Sequence, residues 1–159
     1  MKKYFVVGNP IEHSLSPKLH NFWIKKNSID AIYEKKILNK DELKNLILEV
    51  KKKKIHGINV TVPFKKTVIP YLDQLSTESK NTQSVNTIYL NNNKTIGHNT
   101  DIEGFERSIK ETKLDIKNKK VLILGAGGVA PSIIFALYKM KVSEIMITNR
   151  TKSKAEDLK

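Results

Sequence analysis

Two stretches near the C-terminal end carry residue types suited to holding a phosphorylated ligand. In "VLILGAGGVA", Gly125, Gly127 and Ala130 fit the pattern G-x-G-x-x-G/A directly after an apolar run. The first glycine allows a tight turn and the second lets a pyrophosphate approach the backbone. The small third residue lets helix and strand pack closely. The whole turn, Gly125, Ala126, Gly127, Gly128, Val129 and Ala130, is therefore a candidate phosphate cradle at a helix N-terminus, where N–H donors and the dipole favour anions. The alternative is a merely tight strand–helix turn. The next apolar run ends in "NRTKSK". An NAD site would place an acid there for the ribose hydroxyls. Here Asn149, Arg150, Thr151 and Lys154 stand instead, and an Arg fork suits a 2′-phosphate. The pattern points to NADP. Lysines 152 and 154 each have a plain alternative as surface residues.

Nearer the N-terminus lie groups suited to proton transfer and to gripping a small polar molecule. In "NVTVPFKK", Pro63 opens a helix, so Lys65 and Lys66 fall in its first turn. Cations there oppose the helix dipole, and a lysine poised towards neutrality can trade protons. Asn59 and Thr61 add polar groups where a buried strand would prefer apolar ones. "SVNTIYL" and "GHNTDIEGF" both carry Asn-Thr. Asn86 opens a strand, and Asp101 stands at a helix start, where it or Thr100 could equally be a cap. In "GNPIEHSLSPKLHN", Ser16 before Pro17 reads as a helix cap. Ser14, two residues earlier, then has no structural role. The histidines at 13, 20, 56 and 98 show no metal-ligand spacing.

These groups need elements to position them. The spacing predicts strands at about 3–8, 31–37, 57–62, 86–90, 94–98, 121–125 and 144–148. It predicts helices at about 16–27, 40–53, 100–112 and 128–140, a short helix after Pro63, and a helix opening at the C-terminal end. The stretch "STESKNTQS" reads as polar connection, and "NNN" between two strands as a hairpin-like turn. The run "VLILG" has no polar face, so it is expected to be buried on both sides, as in a parallel sheet. The alternation makes this an α/β protein with a boundary near 100–118.

Composition narrows the partners. The net charge is +13, yet only Arg107 and Arg150 among the 29 basic residues are arginines. Specific readers of bases and phosphates favour Arg forks, so a solvated lysine surface is expected rather than a nucleic-acid footprint. Anionic small ligands suit such a field. No apolar run approaches the roughly 20 residues of a membrane span. The apolar start is too short for a signal peptide, and there are no cysteines for disulfides. A soluble cytoplasmic protein is expected.

Taken in order, "GNPIEHSLSPKLHN", "GINVTVPFKK", "SVNTI", "GHNTDIEGF", "GAGGVA" and "NRT" resemble shikimate dehydrogenases across the whole chain. The resemblance implies an N-terminal α/β substrate domain over 1–100, a connecting helix and linker over 101–117, and the first part of a Rossmann NADP-binding domain over 118–159. It implies NADPH-dependent, reversible reduction of 3-dehydroshikimate to shikimate. On it, Ser14 and Ser16 hold the substrate carboxylate and Thr61 binds substrate. Lys65 exchanges the proton, and Asn86 and Asp101 grip the ring hydroxyls, with Asp101 close enough to steer Lys65. A homodimer is compatible with it. The chain departs from the family at Gln83-Ser84, where Gly-Ala is usual, and at Lys154, where Arg is frequent. It is also shorter than the family, which implies a fragment lacking the nicotinamide half. Two alternatives stay open: a quinate/shikimate relative using NAD, and a non-catalytic shikimate-binding module.

Overall fold

The computed structural model describes residues 1–158. Strand β1 (Lys2–Gly8) leads through the serine loop into helix α1 (Ser16–Lys26), and β2 (Ala31–Ile37) follows. A 3₁₀ turn at Lys40–Glu42 precedes α2 (Leu43–Lys51), so the helix expected from residue 40 starts three residues later. Next come β3 (Gly57–Val60), a single helical turn α3 (Phe64–Thr67) and the short β4 (Gln74–Leu75). The polar stretch read as connection is largely helix α4 (Thr77–Thr82), capped by Ser76, whose Oγ accepts from Ser79 N at 3.2 Å. The hairpin β5 (Thr87–Asn91) and β6 (Lys94–His98) turns at Asn92 and Asn93, both with positive φ. That backbone is one that Asn tolerates better than most residues.

These six strands form one sheet, ordered β2-β1-β3-β5-β6-β4. β1 pairs in parallel with β2 and β3, β4 pairs in parallel with β6, and the two β5 pairings are antiparallel. The apolar stripe of α2 (Leu43, Leu46, Ile47, Val50) is wholly buried and joins Val7, Ile58, Val60, Phe64, Val85 and Ile88 in one core. At the 3.6-residue period those four positions share a face.

Helix α5 (Asp101–Glu111) crosses to a second, two-stranded parallel sheet, β7 (Lys120–Leu124) with β8 (Glu144–Thr148), joined through α6 (Ala130–Lys139). A short α7 (Lys152–Glu156) follows β8. The α/β class expected from the alternation is the one observed. The expectation that β7 is buried on both faces is corrected: Leu122 is 55% and Leu124 78% exposed. Along both strands exposed residues alternate with half-buried ones, because the single crossover helix α6 covers one face only. α5 packs on α6 and carries Glu106, whose Oε1 lies 2.6 Å from Lys139 Nζ, an ion pair rather than a directed hydrogen bond.

Candidate active site

The chain passes from the end of β3 through Thr61, Val62 and Pro63 into α3. Thr61 N donates to Val7 O, which ties this segment to the end of β1. Phe64 is buried in the core and anchors the helical turn, so Lys65, half-buried, and Lys66, exposed, both stand along the wall of a cleft. Lys65 Nζ donates to Asp101 Oδ2 at 2.7 Å, with the two side chains only 15% and 22% exposed. The Lys65 carbonyl accepts from Val85 N, which joins the turn to the segment carrying Asn86, just before β5.

Asn86 closes the arrangement. Its Nδ2 donates to Asp101 Oδ1 at 2.8 Å and to Thr100 Oγ1 at 2.9 Å, and its Oδ1 accepts from Thr100 N at 3.0 Å. Asp101 is therefore not the cap of α5. Its two oxygens are occupied by an ammonium and an amide, which aim Lys65 and leave that ammonium's remaining N–H donors for a ligand. The start of α5 is secured instead by Asn99, whose Oδ1 accepts from Asp101 N at 3.0 Å.

The hydrogen-bonded chain continues away from Lys65. Thr87 Oγ1 donates to Asn86 Oδ1, and Asn59 Nδ2 lies 3.2 Å from Thr87 Oγ1. Asn59 Oδ1 in turn accepts from the Tyr33 hydroxyl at 2.7 Å. Burial pushes the Tyr33 phenol up to about 12, with the Ser16 hydroxyl acting in the opposite direction. His20 stacks on the Tyr33 ring at 4.2 Å, and burial lowers its pKa. Tyr33 was missed from sequence. A Tyr inside a strand is ordinary β material, and nothing local marks its hydroxyl.

Ser14, Ser16 and Thr61 line one depression of about 290 Å³, with Val6, Ile11 and His13. The capping expectation is corrected here. Ser16 is inside α1, Leu15 occupies the cap position without a side-chain bond, and Ser14 Oγ accepts from Ser16 N at 3.3 Å. Pro17 explains the shift, since a helix starting one residue before it still spends no N–H on the proline. The serine with no expected structural role is the one that has one.

A larger cleft of about 760 Å³ lies between the two units, lined by Val62, Pro63, Lys65, Ser84, Gly128 and Pro131 among others. A Cβ on Gly128 would stand 3.9 Å from Val62 Cγ2, so the glycine turn and the 61–63 segment face each other. Gly125 has φ +116°, a conformation that favours glycine, and its N–H donates to Thr148 O at 2.8 Å. Gly127 has neither a positive φ nor any atom within 4 Å of a Cβ placed on it. Neither backbone nor packing asks for glycine there, but a ligand lying against the backbone would. Ala130 is buried under the turn, at the start of α6. Asn149 braces the loop, with Oδ1 accepting from Ala126 N at 3.1 Å and Nδ2 donating to Thr151 O at 2.8 Å. Arg150, Thr151 and Lys154 are exposed, and among the described residues neither Arg150 nor Lys154 has an acidic partner. Lys152 lies 3.6 Å from Glu156.

A cleft between a mixed α/β sheet and a strand–glycine turn–helix unit, with the Lys65–Asp101 pair at its wall, marks the class of a two-unit α/β protein built to bring a dinucleotide-type turn up to a small polar site. The comparisons make this specific. The family model of the shikimate dehydrogenase substrate binding domain matches residues 6–88, and the shikimate / quinate 5-dehydrogenase model matches residues 107–159. The chain belongs to the shikimate dehydrogenase family. It is 60% identical to shikimate dehydrogenase (NADP(+)) of Pelagibacter ubique, over all of this chain and 60% of that protein. The crystal structure of shikimate dehydrogenase from Aquifex aeolicus superposes with a TM-score of 0.92 at 41% identity, over 99% of this chain and 59% of that one. The Thermus thermophilus enzyme in complex with NADP(H) and shikimate does so at 0.88 and 32%, over 99% and 59%. The chain thus spans about 60% of the length of the curated relatives it matches. Among the described residues no helix is long and apolar enough to cross a membrane.

Proposed function

We propose that this chain carries the substrate site and the proton-transfer group of an NADP-dependent shikimate dehydrogenase, which reversibly reduces 3-dehydroshikimate to shikimate in aromatic amino-acid biosynthesis. The observation that carries the reading is the Lys65–Asp101 pair at 2.7 Å, part-buried, with Lys65 on the wall of a cleft whose opposite wall is the glycine turn. Ser14 and Ser16 hold the substrate carboxylate at one end, with Thr61 beside them. Asn86 and Asp101 grip the ring hydroxyls at the other. The Tyr33–Asn59–Thr87–Asn86 chain keeps the two ends in register.

The backbone of Gly125–Ala130 and the start of α6 suit the pyrophosphate, and Arg150, Thr151 and Lys154 suit the 2′-phosphate. NADPH bound there supplies the hydride. Reduction of a ketone leaves an alkoxide, which needs a proton as it forms. Lys65 delivers that proton from Nζ, while Asp101 fixes where the ammonium points and offsets its charge. In the reverse direction the neutral amine takes the proton back. The partners are small anionic molecules, and the setting is the cytoplasm.

The test is Lys65→Ala against Lys66→Ala. Replacing Lys65 is expected to lower kcat by about 10²–10⁴, with the shikimate Kd little changed by titration calorimetry. Lys66→Ala, on the same cleft wall but exposed and, among the described residues, without a carboxylate to aim it, should leave kcat near wild type. Equal small losses in the two variants would reduce Lys65 to part of the basic surface.

A further inference from the structure

One buried side chain does more than secure the start of α5: it also links the two units. Asn99 lies between β6 and α5 and is 1% exposed. Its Nδ2 donates to Ser132 Oγ at 2.8 Å and lies 3.1 Å from Thr82 Oγ1, while its Oδ1 accepts from Asp101 N at 3.0 Å. One amide therefore meets three elements. Asp101 N opens the helix whose first carboxylate aims Lys65. Thr82 ends α4, which borders the cleft and packs on α6. Ser132, wholly buried, stands in the first turn of α6, directly after the glycine turn.

We propose that Asn99 is a positioning residue that pins the glycine turn to the Lys65–Asp101 pair, so that hydride donor and proton donor converge on one substrate carbon–oxygen bond. This rests on the functional reading above. A buried amide is costly to leave unpaired, so it holds its partners in one arrangement more strictly than apolar packing would. Further along, α5 and α6 are also joined by the Glu106–Lys139 ion pair, with Lys139 half exposed and Glu106 only 14% exposed. That pair is an ion contact without a directed hydrogen bond, and so is more tolerant in geometry than the amide. The geometry of Asn99 is the stricter constraint, and it acts within a few residues of both reacting groups. Thr82 serves the same end, since its hydroxyl bonds back to Glu78 O at 2.8 Å and holds α4 in the arrangement.

The experiment exploits a chain without cysteine. Spin labels are placed at Lys44→Cys, exposed on α2, and at Tyr138→Cys, exposed on α6, and the distance between them is read by pulsed dipolar spectroscopy. One narrow distribution is expected for the otherwise unaltered protein. Ser132→Ala removes only the bond that crosses between the units and leaves Asn99 on Asp101 and Thr82. It should broaden the distribution while the shikimate Kd stays near wild type. Asn99→Ala should broaden it further. Under turnover, Ser132→Ala should lower kcat by about tenfold or more with KM little changed, as misplacement of reacting groups does. Unchanged distance distributions in both variants would overturn the proposal, as would a loss confined to KM. Should Asn99→Ala fail to fold, Ser132→Ala alone decides. Absence of shikimate binding by the unaltered protein would instead sink the functional reading, and the distances would still decide whether Asn99 is the pin.

Discussion

The two sheets of this protein differ in how they are held. The six-stranded sheet buries Val7, Ile58, Val60 and Ile88 against a fully buried helix stripe, whereas in β7–β8 Leu122, Leu124 and Met146 remain open to solvent. Yet each sheet ends in a loop that lines a cavity, the β1 loop the depression shared with Thr61 and the β7 turn the larger cleft shared with Lys65. The loops differ in kind as well. After β1, side chains do the holding, with Ser14 on the Ser16 amide and Glu12 on the Ile11 amide. After β7, the backbone itself is arranged, by the positive φ of Gly125 and by Asn149 on Ala126 N. A small carboxylate can be met by two hydroxyls, while a pyrophosphate needs several N–H groups at once and so a turn without side chains in the way. In the first unit, buried Ile11 and side-chain hydrogen bonds hold the loop. In the second, the conformational demands of a few residues do that work.

The contrast in packing is the one with the largest expected effect. Ile88→Ala, at a wholly buried position of the first core, should cost about 2–5 kcal/mol of stability. Leu124→Ala, 78% exposed in β7, should stay within about 0.5 kcal/mol. Urea unfolding of both variants checks this, and comparable losses would mean that β7 is covered in solution.

Two glycines sharpen the contrast between the loops. A Cβ on Gly8 would stand 2.6 Å from Thr61 Cγ2 and 2.9 Å from Val62 O, so Gly8→Ala should cost about 1–3 kcal/mol. A Cβ on Gly127 meets nothing within 4 Å. Gly127→Ala should leave the unfolding midpoint nearly unchanged and weaken NADP⁺ binding, read by calorimetry. An unaltered NADP⁺ affinity would remove Gly127 from the cradle.

Within the first loop the serines separate. Ser14→Ala should weaken shikimate binding by about 1.5–3 kcal/mol through a lost donor to a charged group. It should also lower stability by about 0.5–2 kcal/mol through the lost bond to the helix start. Ser16→Ala should affect binding similarly, without the loss from the helix start. The ordering of the two melting temperatures decides between this and a cap at Ser16.

The smallest effect concerns the edge ion pairs. The Lys51 ammonium, with the Thr95 N–H and hydroxyl, lowers the Asp73 carboxyl to about 2. Its native value lies below its unfolded value of about 3.9. The stability it contributes is therefore present above about pH 4 and lost as pH falls towards 2. Asp73→Asn should flatten that part of the pH profile of the urea midpoint. Glu144→Gln, which removes the exposed partner of Lys120 on β8, should change the midpoint little at any pH.

Local demands were legible in the sequence. The alternation of apolar runs placed β2, β6 and β8 at their observed residues, and the α2 stripe follows from a 3.6-residue period. Gly125 and the Asn92–Asn93 turn were readable because a left-handed backbone selects residue types on the spot. Helix α4 escaped, because Ser79 and Thr82 are polar residues that the fold buries, and periodicity of apolar residues cannot register them. The exposure of β7 escaped for the converse reason: an apolar run states what a strand could bury, not what lies against it. Of the candidate site, Lys65, Asn86 and Asp101 were each visible as types at element starts, and their proximity was implied only by family resemblance. Ser14 and Ser16 exchanged structural roles because a cap depends on where the first helical turn closes, which Pro17 leaves free by one residue. Tyr33, Asn59 and Asn99 show the limit most plainly. The Tyr33–Asn59 bond joins residues 26 apart in the chain and the Asn99–Ser132 bond residues 33 apart. The sequence determined which residues could donate and accept. The path of the chain through two sheets decided which of them meet, because a hydrogen bond is made only within about 3 Å and no spacing along the chain encodes that distance.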